Sequence, residues 1–559
     1  MFDKKVSNLL STVEDNKFIK EGMKISSETV SGNGAVKYST SGNDFVDQFA
    51  AISYYKEPRT YEEVSKDMSL LWSQDPLLCL KLAVYTRLIT RKSKVVQDDN
   101  TFILEVQRGQ GLKNEGIMRT LWIAVNYPSI FKYNIPFFIA TGSWKDIFQM
   151  LSLDLQYHGW TDRKLDWNFL LLVIAVGLYN SETTHLVRKY LPTIRTNKNC
   201  RTIESQANTL IGRWIARSIF SNFEKEAAYK EYRKLKSSGV AHKWQQQISR
   251  QLYNEISFDS IAGRALSLLV NSKFLQNHNL VDKYTEWIQS KSTAKYTGFV
   301  FELFKPLGEN IETKHIESYK EKTINAQFEQ LVQTGKENVN TNSKLIVVRD
   351  TSGSMWSSAR GCNMSSFDIA KAMALYFSQF LTGDFANSYI EFSDRAVMHK
   401  WKGNTACDMW INDRCGSLGN TNFQSVIDLF ITLKQAGVSE EDFPTGLLCV
   451  SDGELDYCGD SSNFNSAISK LKSAHFSDKF VDNFKIILWD IPNSYYGSNS
   501  VKFEDFADAP NFYYMSGYDP AAVSFILGNS EFKSSPKNAE ELFEAAMNQD
   551  ILNYLKIIK

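Results

Sequence analysis

The chain has 559 residues, 43% of them hydrophobic, with 63 Lys or Arg balanced by 63 Asp or Glu. That length exceeds what one hydrophobic core fills, so at least two domains are expected, and the apolar fraction is that of a soluble globular protein. Zero net charge argues against a uniformly basic nucleic-acid binder.

Residues 1–43 are polar and end in a Ser, Gly, Thr and Asn-rich stretch, which reads as an arm. Its opening, MFDKKVSNLLSTVEDNKF, carries charges within a short apolar stretch, unlike a signal peptide. Over 44–337 apolar residues recur at helical spacing, as at Leu70 to Tyr85, Phe102 to Val106, Met118 to Val125 and Ile147 to Leu153. Breaks at Asp75-Pro76, Gly109 to Gly111, Tyr127-Pro128, Gly142-Ser143 and Leu191-Pro192 cut the pattern into short helices of an all-helical domain built from stacked hairpins. The longest apolar run, Phe169 to Tyr179, is too short for a bilayer, which takes about 18 to 20 residues. No membrane association and a cytoplasmic location are expected.

Charge is unevenly placed. Residues 181–300 hold 19 Lys or Arg against 9 Asp or Glu, whereas residues 344–559 hold 18 against 27. In the basic stretch Arg188, Lys189, Arg195, Lys198, Arg201, Arg213, Arg217, Arg233, Lys234, Lys236, Lys243 and Arg250 are interleaved with Trp214, Tyr232, Trp244 and Tyr253. Cations that neutralise phosphates beside rings that stack on bases suit single-stranded or loop RNA. The competing reading places the rings in helix cores. His185 and His242 have no carboxylate or cysteine at ligand spacing and read as structural or RNA-contacting. Seven widely spaced cysteines without a C-x-x-C pair point to a reducing compartment.

Residues 338–343 (NVNTNS) form a polar linker, after which the periodicity changes. Over 344–530 candidate strands at Lys344 to Arg349, Ser388 to Phe392, Leu447 to Val450, Lys485 to Trp489 and Phe512 to Met515 alternate with helical patterns at Phe367 to Phe380, Phe423 to Leu433 and Ser466 to Leu471. This alternation predicts a doubly wound parallel sheet, whose ligands bind at the carboxyl ends of the strands. A helix over 531–559 closes the chain.

Asp350-Thr351-Ser352-Gly353-Ser354 follows the first of these strands directly. The Ser352 and Ser354 hydroxyls can converge on one cation, with Asp350 supplying charge. Thr421 precedes the helical stretch Phe423 to Leu433, and Asp452 ends the strand Leu447 to Val450, so both belong to the same rim. Hard oxygen donors with few carboxylates fit Mg²⁺ or Mn²⁺. The alternative is that the serines cap the following helix, which accounts for neither Thr421 nor Asp452.

Asp350, Ser352, Ser354, Thr421 and Asp452 resemble the metal-ion-dependent adhesion site of von Willebrand factor A domains, where D-x-S-x-S, a Thr and an Asp occur in that order. The resemblance implies a cation with an open position filled by an acidic group of a partner. Such a domain after a long helical region is similar to the Ro/TROVE family of RNA-binding proteins and its bacterial and phage relatives. It is also similar to plant, fungal and microbial proteins that join the same two regions. Arg108-Gly109-Gln110-Gly111, Gly142-Ser143-Trp144-Lys145-Asp146 and Tyr232-Arg233-Lys234 carry this second resemblance. It implies HEAT-like helical repeats closed into a ring by the A domain, with small structured or misfolded RNA as ligand.

The leading expectation is therefore a non-catalytic RNA-binding protein. Its rival is a protein-interaction or scaffold module, such as a phage structural or cargo component, that uses the metal site without nucleic acid. An aspartyl phosphatase would need D-x-D, and position 352 is Ser.

Overall fold

The computed structural model describes the strands 28–30 and 36–38, residue 33, and residues 39–52, 59–88, 91–96, 102–107, 109–195, 200–239, 242–296, 298–307, 316–336, 344–359, 364–381, 385–413, 418–459, 462–491, 511–516 and 539–558. The expected linker at 338–343, most of the N-terminal arm and the stretch 517–538 lie outside the described residues. The described chain divides into two compact units. One draws on Met1–Glu57, Ser267–Ser272 and Thr285–Ala546, the other on Pro58–Leu266, Lys273–Tyr284 and Met547–Lys559.

In the first unit the strand patterns pair into a six-stranded sheet: β1 (Leu345–Asp350), β2 (Ser388–Phe392), β3 (Ala396–Lys400), β4 (Gly446–Ser451), β5 (Lys485–Asp490) and β6 (Phe512–Ser516). The spatial order is β6-β5-β4-β1-β2-β3. All neighbouring pairs are parallel except β2 with β3. Every residue of β1 and β4 is buried, so these strands read as continuous apolar runs and not as alternations. β3 was not expected. Its AVMHK sequence is largely exposed, as an edge strand is, and it gives the expected parallel sheet one antiparallel margin.

One face of the sheet packs Ile346, Val348, Ile390, Phe392, Leu447, Ile486 and Leu488 against Val426, Ile427 and Phe430 of the helix Gln424–Gln435. Each such side chain contributes about 1.5 to 3 kcal/mol on full burial. The opposite face is covered by the helix Ser366–Ser378, buried along its length and capped by Ser365. The helix Asp44–Ile52, expected to open the helical region, supplies Ala50 and Ala51 to the core of the sheet. The helices Val300–Phe304 and Ser318–Lys336 also belong to this unit, with Phe304 stacked on Trp410 at 4.4 Å.

The second unit is a succession of short helices whose breaks match the sequence. Asp75 caps the helix Pro76–Arg87, with Pro76 in its first turn, and Pro128 starts the helix Pro128–Thr141. Ser143 and Asp146 form a capping box on Trp144–His158. Glu115 is buried between Arg59 and Arg119, at 2.7 and 2.9 Å. The segment Phe102 to Val106 corrects its helical expectation: Phe102–Gln107 is a strand, antiparallel to Arg91–Val96. Val95, Val96, Phe102, Ile103 and Val106 favour a pleated surface, and Asp98-Asp99-Asn100 is turn composition. The C-terminal region contains the helix Ala539–Met547 and a short 3-10 helix, Asp550–Tyr554. Among the described residues no helix is long and apolar enough to cross a membrane.

Candidate metal centre and basic surface

Strand order decides where a ligand can sit. The chain leaves β1 toward β2 and β3, then returns on the other side of β1 through β4. The carboxyl ends of β1 and β4 therefore flank the point where the winding reverses, the position at which doubly wound sheets open a crevice. Asp350 is the last residue of β1, and Asp452 follows the last residue of β4.

All five expected ligands are buried at this rim. The Ser352 N–H donates to Asp350 Oδ1 at 2.8 Å, and the Ser352 and Ser354 hydroxyls lie 3.2 Å apart. Ser352 makes no side-chain capping bond to the short 3-10 turn Gly353–Trp356, and Ser365, not either of these serines, caps the helix after it. The capping alternative thus does not account for their placement. The loop that carries Thr421 is tied by the backbone to both of the others: the Gly353 N–H donates to Gly419 O at 3.2 Å, and the Asp456 N–H, four residues after Asp452, donates to Thr421 O at 3.0 Å.

Burial, and next the charge of Asp452, raise the Asp350 carboxyl well above the ordinary carboxylate range. Two buried carboxylates in mutual repulsion, beside the paired Ser352 and Ser354 hydroxyls, are a hard-oxygen set that a small divalent cation would neutralise. Among the described residues no three His, Cys, Asp or Glu side chains gather into a metal-binding group. The donors at this rim are of a different kind, mostly hydroxyl.

Three contributors were not anticipated. Ser451 Oγ donates to Asp350 Oδ2 at 2.5 Å and accepts the Gly453 N–H at 3.1 Å. Asp394, after β2, accepts the Asn420 N–H at 3.0 Å and so holds the loop that carries Thr421. Asn33, between the short strands Glu28–Val30 and Val36–Tyr38, donates to Thr421 Oγ1 at 3.3 Å and to Glu454 O at 2.7 Å. Ser451 stands beside Asp452 in sequence and was open to inference from that position. Nothing local marks Asn33 or Asp394.

On the other face of β1, Arg349 is fully buried. It bonds Asp413 at 2.6 Å and Glu391 at 3.1 Å, with its guanidinium over the rings of Tyr389, Phe367 and Trp401. Lys371 also reaches Asp413, at 3.3 Å. This ion cluster fixes the strand that ends in Asp350.

The expected RNA-contacting cations lie in the second unit. Arg195, Arg201, Arg217, Arg233, Lys234, Lys243 and Arg250 are exposed, while Arg188, Lys189, Arg213 and Lys236 are half-buried. Lys198 lies outside the described residues. Lys236 Nζ donates to Leu191 O and, at 3.4 Å, to Lys189 O, and Lys234 pairs with Glu231 at 2.7 Å. The aromatic half of the expectation is corrected in part. Tyr232 and Trp244 are buried, and Trp214 packs edge-on against Trp167 at 4.8 Å. Tyr253 stacks on His278 at 3.8 Å.

Residues 344–556 match a family described as a domain of unknown function, DUF7788. That match spans less than half of the chain. No curated protein matches the sequence. Among solved structures, the chain is similar to the crystal structure of the Ro (RSR) protein of Deinococcus radiodurans, with 12% identity and a TM-score of 0.35 over 91% of this chain and 94% of that one. The region from β1 onward is thus a mostly parallel α/β domain that matches a family of unassigned function, preceded by a mostly helical region.

Proposed function

We propose that this protein is a non-catalytic, Ro-like RNA-binding protein. It holds small structured RNA on the basic faces of its helical unit and binds Mg²⁺ or Mn²⁺ at Asp350, Ser352, Ser354, Thr421 and Asp452. A cation held there keeps a position for an acidic group of a protein partner. The protein works in the cytoplasm without a membrane.

The observation that carries the RNA reading is the set Arg201, Arg217, Arg233, Lys243 and Arg250. These side chains are exposed, and among the described residues no carboxylate pairs with any of them. Unpaired cations on the successive helices Ile203–Ile219, Lys225–Ser238 and Lys243–Ser249 and at their ends suit phosphates, which release counterions on contact. With Tyr232 and Trp244 inside, recognition rests on the backbone of a structured RNA more than on base stacking.

The second reading is an interaction module that acts through the metal site alone. It is favoured by the burial of all five side chains, with Asp350 and Asp452 at the carboxyl ends of the strands where the winding reverses. The two are separated by purifying the full chain, reading its 260/280 nm ratio, and repeating partner capture in Mg²⁺ or EDTA, with and without ribonuclease. RNA that copurifies and is lost with salt supports the first reading. EDTA-sensitive, nuclease-insensitive capture of protein from a preparation free of nucleic acid supports the second.

A further inference from the structure

The helices Trp144–His158, Thr184–Tyr190 and Ile203–Ile219 of the second unit border a cleft of about 340 Å³. Four cationic side chains line it, Lys145, Lys189, Arg195 and Lys236, with Glu204 the one carboxylate among the lining residues. That volume lies at the lower end of small-ligand pockets, which run from roughly 300 to 1,000 Å³.

The wall is built before any ligand arrives. Tyr232 Oη donates to Pro192 O at 2.8 Å, Lys236 Nζ to Leu191 O, and the Arg195 N–H to Thr209 Oγ1 at 3.3 Å. These bonds hold the 191–195 loop on three sides, with Leu191, Pro192 and Ile194 buried and Thr193 and Arg195 left exposed. Asp146 bonds Arg87 at 2.8 Å and caps the helix that presents Lys145.

Lys113 stands beside Lys145. Burial, and then the charge of that neighbour, keep the Lys113 ammonium below the usual lysine range. The nearby Asp146 is already engaged by Arg87. Cations crowded in this way are relieved by a bound anion.

We propose that this cleft binds the phosphomonoester of a ribonucleotide, with the phosphate against Lys145 and Arg195 and the ribose hydroxyls on Glu204. A phosphomonoester carries close to two negative charges at neutral pH and matches several convergent cations better than a diester does. A carboxylate that accepts from ribose hydroxyls accounts for the single acid on a basic wall. The ligand is either a free nucleotide or the phosphorylated 5′ end of an RNA, and the site does not depend on RNA binding by the outer helix faces.

The test is calorimetry of the full chain with AMP, adenosine, inorganic phosphate, and an oligoribonucleotide bearing either a 5′-phosphate or a 5′-hydroxyl. AMP should bind, with adenosine and inorganic phosphate each about tenfold weaker or worse, and Arg195→Ala and Lys145→Ala should each weaken AMP about tenfold without loss of helicity. A 5′-phosphate that tightens the oligonucleotide about tenfold identifies the RNA end as the source. Oligonucleotides that bind alike, and more weakly than AMP, identify the free nucleotide. The proposal is overturned if AMP fails to bind, if adenosine or inorganic phosphate binds as tightly, or if both variants keep wild-type AMP affinity. Arg233→Glu serves as the control: RNA affinity weakened with AMP affinity kept separates this cleft from the outer surface.

Discussion

Ser451 Oγ donates to Asp350 Oδ2 at 2.5 Å, joining the ends of two neighbouring parallel strands at the point where the winding of the sheet reverses. Ser451 is not among the proposed ligands. It orients one of them, leaving the remaining oxygen lone pairs of Asp350 in a fixed direction. Groups in this supporting role are worth about 10- to 100-fold in metal affinity. Ser451→Ala should therefore weaken Mn²⁺ binding by about that factor in a titration followed by electron paramagnetic resonance, with the circular dichroism spectrum unchanged. Wild-type affinity would show that Asp350 needs no such support.

Asp452 makes a prediction with two signs. Its charge helps raise the Asp350 carboxyl, so Asp452→Asn removes a like charge from a buried neighbour. In EDTA the variant should melt higher than wild type. On adding Mg²⁺ the wild type should rise, by about 2.7 kcal/mol at a hundred times its dissociation constant, while the variant should not move. A variant that gains as much as wild type from Mg²⁺ would remove Asp452 from the site.

Gly419 is a test of the loop that carries Thr421. A Cβ at this position would fall 2.1 Å from Asp394 Oδ2, so the carboxylate must swing away and release the Asn420 N–H. Gly419→Ala should cost about 1 to 2 kcal/mol in urea denaturation and weaken Mn²⁺ binding together with it. A stable variant with full Mn²⁺ affinity would show that Asp394 does not hold the loop.

Most of this rim was legible from the sequence because its signals are local. A β-branched run that ends in Asp350, two serines at fixed offsets and a strand that ends at Asp452 each carry their own address. The breaks at Asp75-Pro76, Tyr127-Pro128 and Gly142-Ser143 were equally local, since a proline in the first turn or a capping box acts within a few residues. What escaped depends on distant partners. An amphipathic stretch such as Asp44–Ile52 does not state which surface it covers, and it packs on the sheet core. Tyr232 and Trp244 lie among cations in sequence yet turn inward, because one helix presents a charged face and an apolar face at once. Asn33 meets Thr421 across 388 positions.

The buried cluster on the far face of β1 sets a pH dependence. Burial alone raises the Asp413 carboxyl, but the charge and hydrogen bonds of Arg349, followed by Lys371, bring it down to about 2, from an ordinary value of 3.8. A carboxyl lowered by folding contributes its full stability above the unfolded value and loses it as pH falls through the folded one. The contribution of Asp413 should thus vanish between about pH 4 and pH 2. Asp413→Asn should cost about 3 to 5 kcal/mol at neutral pH, because it leaves Arg349 buried without its main partner, and should flatten the acid limb of the stability curve. An acid limb as steep as that of wild type would assign the pH dependence to other groups.

RNA binding by the exposed cations of the helical unit is tested most directly by the salt dependence of affinity. Filter binding of a small structured RNA should be compared for wild type and the triple variant Arg233→Glu, Lys234→Glu, Lys243→Glu, across a salt series in Mg²⁺. The wild type should bind with a steep negative slope of log affinity against log salt. The variant should bind more weakly at low salt, with a slope shallower by about two if Arg233 and Lys243 each meet one phosphate and Lys234 stays paired with Glu231. Equal affinities and equal slopes for the two proteins would contradict the RNA-binding account.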